Sequence, residues 1–445
     1  MDVAKDCIST SKDKISTLEE KQISREQDNS LVVEESHTAV ALWHHGLPRE
    51  LISEIFVQTL SGGPFLVPPN ANSSPWNLRA VCASWRRIAL AERRLWSHLE
   101  VTRAEASGWS VEESFFKFLS QHVIHPNGPV SFNAKELIYL GSWQVFIEDV
   151  VRPNLQRIHT LDICARLSHL SDIAPHSCPQ LDTLSLDIWG EEAFTMCDVS
   201  ELPFFTGMSA LRTLTIIGIV LERQLSDPST TTLPWGQLTS LTISLRADYT
   251  ADLLSRCSSL LSCSLSFNHA GIAPDTFAPV TAPRIRCIVL KNPPWATAPN
   301  THGVLDSLTL PSLSELDITC VCLGRRYCET INGLLRRSGC ALTVLDMSEM
   351  RTSAAAAASA GLDVQLLHPS IRELYTNVSY PLHTLERIEK GELCPRLAAF
   401  RFCGTKALFD VERALSKRLK VVLGSRRGRD LSRHRVGIID YRNLE

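Results

Sequence analysis

The chain has 445 residues, a formal net charge of -3, 44% apolar residues, 21% charged residues and 14 cysteines. At roughly 100 to 200 residues per compact domain, that profile predicts a soluble protein of two to four domains, or one elongated repeat array with a small domain attached. The polar opening MDVAKDCISTSKDKISTLEE carries no secretory pattern, which predicts a chain that stays in the cytoplasm or the nucleus. The longest aliphatic run, Leu214 to Leu221, contains Thr215 and Gly218 and falls far short of the roughly 20 residues that span a bilayer. It reads as a core strand, with no membrane partner implied. None of the cysteines forms a C-x-x-C pair, and most sit among aliphatic residues, so they are expected to be reduced and to pack as small hydrophobes.

Residues 1–43 form the first predicted segment. The first 36 residues hold nine acids against five bases and no aromatic residue. Such a stretch cannot bury enough apolar surface to offset its ordering entropy, which predicts a disordered acidic tail.

A small helical domain is expected over 44–100. Leu47-Pro48 precedes Leu51, Ile55, Phe56 and Leu60 at helical spacing, with Pro48 suited to a first turn. A Gly-, Pro-, Asn- and Ser-rich loop follows from Ser61 to Pro75. Leu78, Val81, Cys82, Trp85, Ile88 and Ala89 then recur at one helical period, and Leu95-Trp96-Ser97-His98-Leu99 closes the domain.

Residues 101–157 read as a connecting segment of helix and strand. From 158 to 403 a unit of three apolar residues, spaced as in L-x-x-L-x-L, recurs ten times, beginning with Ile158-Leu161-Ile163 and ending with Leu397-Phe400-Phe402. Successive middle members lie 22 to 30 residues apart, inside or close to the roughly 20 to 29 of leucine-rich repeats. One such unit cannot cover its own apolar side. Neighbours must therefore stack as parallel strands over a continuous core. The expected fold class is α/β: a leucine-rich-repeat solenoid with parallel strands on the concave face and helices or loops outside, preceded by a small all-α domain.

Strand alternation turns the residue between the last two apolar positions away from the core. On that basis Asp162, Asp317, Asp346, Tyr375 and Arg401, with Asp187 one step further along its strand, are the candidate substrate-binding residues. The four aspartates favour a partly basic protein partner. The repeats hold one Asn, Asn268, at the ten turn positions where regular leucine-rich repeats place Asn or Cys, which predicts an irregular solenoid. Segments such as Arg325 to Ser338 suit short helices on the outer side.

Residues 404–445 hold 11 Lys and Arg against 5 Asp and Glu and read as a basic helix and tail. The small net charge is thus a cancellation between an acidic body and a basic end. Nucleic acid is disfavoured as a partner, because Tyr441 is the one aromatic beyond Arg413 on which bases could stack. The pairs His44-His45 and His122/His125 fall short of a metal set. No phosphate-binding loop, nucleophile elbow or H-E-x-x-H occurs. No catalytic residue, metal or cofactor is therefore assigned, and the chain is not expected to be an enzyme.

The run from Leu47 to Leu99, with Leu47-Pro48, Glu50-Leu51, Ile55-Phe56, Val81-Cys82, Trp85-Arg86, Ile88-Ala89 and Leu95-Trp96, resembles the F-box of fungal F-box-like proteins. The resemblance implies a module that docks on the Skp-type adaptor of a cullin-based SCF ubiquitin ligase, with the repeats choosing a protein substrate. Carried over, the adaptor-facing set is Leu47, Pro48, Leu51, Ile55, Phe56, Val81, Cys82 and Trp85. The 15-residue stretch Ser61 to Pro75 is longer than the corresponding link in compact F-boxes. The alternative is a repeat scaffold with no role in ubiquitin transfer, and the exposure or burial of Leu47, Pro48 and Leu51 separates the two.

Overall fold

The structure of the protein, a computed structural model, describes residues 46–59, 64–67, 75–101, 113–124, 128–135, 143–166, 178–188, 196–197, 207–221, 233–267, 277–291, 300–319, 325–347, 369–376, 382–402 and 420–421. The expected acidic tail, both histidine pairs as ligand sets and most of the basic C-terminal segment lie outside them. The chain divides into two compact units, one of residues 1–98 with 122–125 and one of 99–121 with 126–445.

In the N-terminal unit, helix α1 (Arg49–Thr59) is followed by strand β1 (Phe65–Val67), helices α2 (Trp76–Val81) and α3 (Ala83–Ala91) and a 3-10 turn (Arg93–Trp96). Pro48 stands just before α1, one residue earlier than the spacing suggested, and its carbonyl accepts from the amides of Leu51 and Ile52 at 3.0 and 3.2 Å. The stretch predicted as a loop contributes β1, whose Phe65 and Val67 are fully buried. Phe65, Trp76 and Trp96 form a T-shaped triad with centroids 5.2 to 6.3 Å apart. The polar ends of both indoles are satisfied, Trp76 Nε1 donating to the Leu66 carbonyl at 2.9 Å and Trp96 Nε1 to that of Ala89 at 2.7 Å. Buried indoles need such partners.

The single helix expected from Leu78 to Ala89 is two helices. Cys82 is extended (φ -158°, ψ 171°), which ends α2, and its Sγ accepts from the Trp85 amide at the start of α3.

Strand β2 (His98–Val101) leads into the second unit, where helix α4 (Glu113–Phe118), strand β3 (Val130–Ala134) and helix α5 (Trp143–Phe146) precede the repeats. Phe116 and Phe132 both pack edge-on against Phe146. All three rings are buried, in the segment that precedes the repeats. The sheet then continues through β4 (Ile158–Ala165), β5 (Thr183–Ile188), β6 (Met196–Cys197), β7 (Thr213–Leu221) and β8 (Ser240–Leu245). Helix α6 (Thr250–Arg256), β9 (Ser262–Ser266), β10 (Val280–Thr281), β11 (Cys287–Lys291), helix α7 (Asn300–Ser307), β12 (Leu308–Thr309) and β13 (Glu315–Thr319) follow. Helix α8 (Arg325–Ser338), β14 (Val344–Met347), β15 (Glu373–Thr376), helix α9 (Leu382–Glu389), β16 (Ala399–Phe402) and β17 (Lys420–Val421) complete the chain order.

From β2 to β17 the strands lie side by side in chain order, with β6 as a side branch on β7 and β10 paired with β12 in a small second sheet. From β3 to β17 neighbouring strands pair in parallel. Parallel neighbours need a crossover between them, and α6, α8 and α9 occupy such crossovers. The fold is the expected α/β repeat solenoid, and its sheet reaches back through β3 to β2, ahead of residue 158. At its far end Lys420 and Val421 pair with β16 as strand, where a helix was expected.

Register follows the apolar pattern. Leu184, Leu214, Leu241, Cys263, Ile288, Leu316, Leu345, Leu374 and Phe400 occupy one continuous row of paired positions, and all are buried. A second row, at the strand entrances, runs His159, Asp182, Arg212, Thr239, Leu261, Arg286, Ser314, Thr343, Arg372 and Ala398. Each amide donates to the carbonyl of the preceding member at 2.7 to 2.9 Å. This ladder fixes one residue per strand along the sheet edge.

Two features lock the stack locally. Arg337 of α8 reaches the end of α7, donating to the carbonyls of Leu305 and Leu308, where helix carbonyls lack internal partners. Gly218 lies where the β7–β8 register shifts; its φ is +88°, and a Cβ there would fall 1.7 Å from the Ile188 carbonyl oxygen. Only glycine fits. Gly218→Ala is therefore expected to destabilise the repeat unit by at least about 2 kcal/mol, read as a lower urea midpoint, whereas an unchanged midpoint would contradict the close approach.

Candidate functional site

Helix α1 carries two adjacent apolar stripes, because residues four apart share a helix face. Ile52 and Phe56 face the core and are buried. Leu51 and Ile55 form the second stripe and remain 52% and 39% exposed. Val81, at the end of α2, is 59% exposed, and Pro48 is exposed while Leu47 is half-buried. Among the described residues, four large apolar side chains are exposed, and three of them, Leu51, Ile55 and Val81, belong to this small unit.

Three of the expected docking residues have other roles. Phe56 is 1% exposed, its ring centroid 4.8 Å from that of Trp85, so it is a core residue and is removed from the docking set. Its stripe is the inward one, one residue on from Ile55. Trp85 is half-buried as the partner of that ring, and Cys82 is the helix junction. Of the expected set, Pro48, Leu51, Ile55 and Val81 are exposed, and Leu47, Cys82 and Trp85 are half-buried.

Charge holds α1 in place. Glu92, capping the 3-10 turn after α3, accepts from the Arg94 amide at 3.1 Å and from the Arg94 guanidinium at 2.9 and 3.1 Å, and also from the Ser53 hydroxyl of α1. Arg94 reaches on to Glu54 of α1 at 2.9 Å. The Arg94 hydrogen bonds, with that from Ser53, hold the Glu92 carboxyl down to about 2. Sequence spacing gave no sign of this network, since Ser53 and Glu92 lie 39 residues apart.

On the strand face of the repeat unit the candidate residues form two separate groups. Asp162 pairs with Lys135 at 3.0 Å. Asp187, half-buried on the next strand, has its carboxyl pushed up by burial, with Lys135 opposing that shift and Asp162 adding to it. Five strand steps away, roughly 24 Å at the usual spacing, Asp317, Asp346, Tyr375 and Arg401 stand in consecutive register. Asp346 was expected to be exposed and is only 3% exposed. In a parallel sheet a short side chain is walled by its neighbours, here Asp317 and the larger Tyr375. The Tyr375 hydroxyl donates to Glu373 at 2.7 Å. The side chain of Arg401 lies outside the described residues.

With one acid ion-paired, one buried and one disfavoured as an anion, the acidic lean of this face is weaker than its sequence suggested. Among the described residues no group of three His, Cys, Asp or Glu side chains could hold a metal, and no helix is long and apolar enough to cross a membrane. Among the described residues, Cys178, Cys257, Cys263, Cys340 and Cys394 are buried, and burial raises each thiol above its ordinary range.

No protein-family model matches the chain, and no curated protein matches its sequence. Among solved structures, the crystal structure of a Rad7 and Elc1 complex in yeast is similar over 90% of this chain and 98% of that chain, at 14% identity and a TM-score of 0.29.

The Glu92 network has a defined pH signature. A carboxyl whose folded-state value is depressed adds stability above its unfolded value, near 4.5, and that contribution is lost as pH falls toward about 2. Glu92→Gln is expected to cost about 1 to 2 kcal/mol at pH 7 and to flatten the loss between about pH 4.5 and about pH 2. Pulse proteolysis in urea, scored by cleavage within residues 46–98, reads both. An unchanged acid limb would contradict the assignment.

Proposed function

We propose that the protein is a substrate-receptor subunit of a cullin-based ubiquitin ligase. On this reading the N-terminal unit docks a Skp-type adaptor and the repeat unit holds a protein substrate, in the cytoplasm or the nucleus. The observation that carries it is the outward stripe of α1: Leu51 and Ile55 are exposed beside a fully packed inner stripe, on the helix whose sequence pattern resembles the F-box. A small unit that builds an aromatic core gains nothing from a second aliphatic stripe in water. Its use is to be covered by another surface. Within the N-terminal unit itself Pro48 and Leu51 are exposed and Leu47 is half-buried, which leaves this edge of α1 open to a docked surface.

The chain supplies no reacting group in this scheme. Its contribution is proximity: holding substrate beside transfer machinery carried by other subunits raises the effective concentration of the acceptor. Loss of a single contact then weakens capture without altering the chemistry.

Fully burying an aliphatic side chain contributes about 1.5 to 3 kcal/mol, so placing charges at two docking positions should weaken adaptor binding by about 100-fold or more. Wild-type protein co-expressed with a Skp-type adaptor is expected to co-elute with it, and the Leu51→Asp, Ile55→Asp double variant to elute alone with an unchanged circular dichroism spectrum. Absence of co-elution in the wild type, or its persistence in the double variant, would sink the proposal.

A further inference from the structure

The backbone ladder at the strand entrances presents one side chain per strand, and its composition differs from that of the strand face. Thr239, Ser314 and Thr343 turn back on the ladder, their hydroxyls donating to the carbonyls of Arg212, Arg286 and Ser314 at 3.3, 3.1 and 2.9 Å. What remains projecting between Asp182 and Ala398 is Arg212, Leu261, Arg286 and Arg372, all exposed. Among the described residues none of the three arginines forms an ion pair. Arg212 reaches only the carbonyl of Leu211, at 3.3 Å, and Asp182 at the row's near end accepts from Thr183 instead. Leu261, 40% exposed, is the one exposed large apolar side chain described in the repeat unit, and it stands between two of these cations. Arg284 and Arg396, also exposed, each lie two residues upstream of a row position.

Strands about 4.8 Å apart set the spacing of the row. Leu261 lies two steps from Arg212 and one from Arg286, and Arg372 three steps further on. The whole run spans about 29 Å, the length of roughly nine extended residues at about 3.3 Å each. Three cations with no ion pair among the described residues favour an anionic ligand, and an aliphatic side chain set between two of them favours an apolar contact that a sugar–phosphate backbone does not offer.

We propose that this edge of the sheet is a docking strip for an extended acidic protein segment of about nine or ten residues. Its carboxylates sit over Arg212, Arg286 and Arg372, about four residues apart where they meet the last two, and an aliphatic side chain rests on Leu261. The strip lies apart from the aspartates of the strand face. It deepens the reading of the repeat unit as the substrate-holding part and makes no use of the adaptor, so its test needs this chain alone.

Fluorescence anisotropy of the full-length protein tests it with a labelled ten-residue peptide alternating Glu and Ser around a central Leu, and with a twin carrying Gln for every Glu. The Glu peptide is expected to bind, to weaken as salt rises, and to bind about tenfold more tightly than its twin. Arg286→Glu with Arg372→Glu should reduce its affinity about fivefold or more, and Leu261→Ser should reduce it without changing the salt dependence. These residues are exposed, so circular dichroism should be unchanged in each variant. Equal affinity for the two peptides, no binding of the Glu peptide at millimolar concentration, or indifference to the charge reversals would overturn the proposal. So would tighter binding of a single-stranded oligonucleotide through the same arginines, or a dimer of this chain that the same variants dissociate. Failure of adaptor co-elution would leave it standing.

Discussion

Each strand of the repeat unit covers one neighbour's apolar edge and relies on the next to cover its own. That mutual dependence is satisfied only in one register. A shift by one residue would carry Leu184, Leu214, Leu241 and the residues in line with them from the core to the solvent side and bring threonines, serines and aspartates inward. The buried row therefore holds the register, and the register in turn aligns the entrance row, the turn at Gly218 and the order of side chains on the strand face. Stability in such an array is close to a sum of nearest-neighbour terms. Ahead of the repeats the pattern changes, and Phe116, Phe132 and Phe146 form an aromatic cluster there in place of the aliphatic row.

The strands of the solenoid were legible because each turn repeats the same three apolar positions, and the ten motifs correspond to β4, β5, β7, β8, β9, β11, β13, β14, β15 and β16. What was hidden had a local physical cause. Strand β3 follows an alternating pattern, Val130, Phe132 and Ala134, and lacks the wider L-x-x-L step, so it read as connector. Strand β1 is three residues long between prolines, in a stretch whose composition otherwise signals a loop. The break at Cys82 leaves no trace in the apolar spacing, because Leu78, Val81 and Trp85 keep the helical period across it.

The candidate sites were legible at the level of faces and less so at the level of side chains. An apolar helix pattern cannot say which of two neighbouring stripes turns inward, and that choice decides the different fates of Ile55 and Phe56. Alternation placed Asp346 outward, but the larger neighbour beside it on the sheet removes it from solvent. The entrance row escaped notice because its members share no residue type. They are related by a backbone ladder, which sequence periodicity does not display.

In the N-terminal unit the packed stripe of α1 and the ionic tie from Glu92 and Arg94 fix the helix with its other stripe in solvent, and the proposed function gives that stripe a partner. Hydrogen–deuterium exchange of the full-length protein, with and without saturating Skp-type adaptor, tests this most directly. New protection is expected over residues 47–59 and around Val81, with exchange across 158–403 unchanged. Protection confined to the repeats, or none over 47–59, would contradict it.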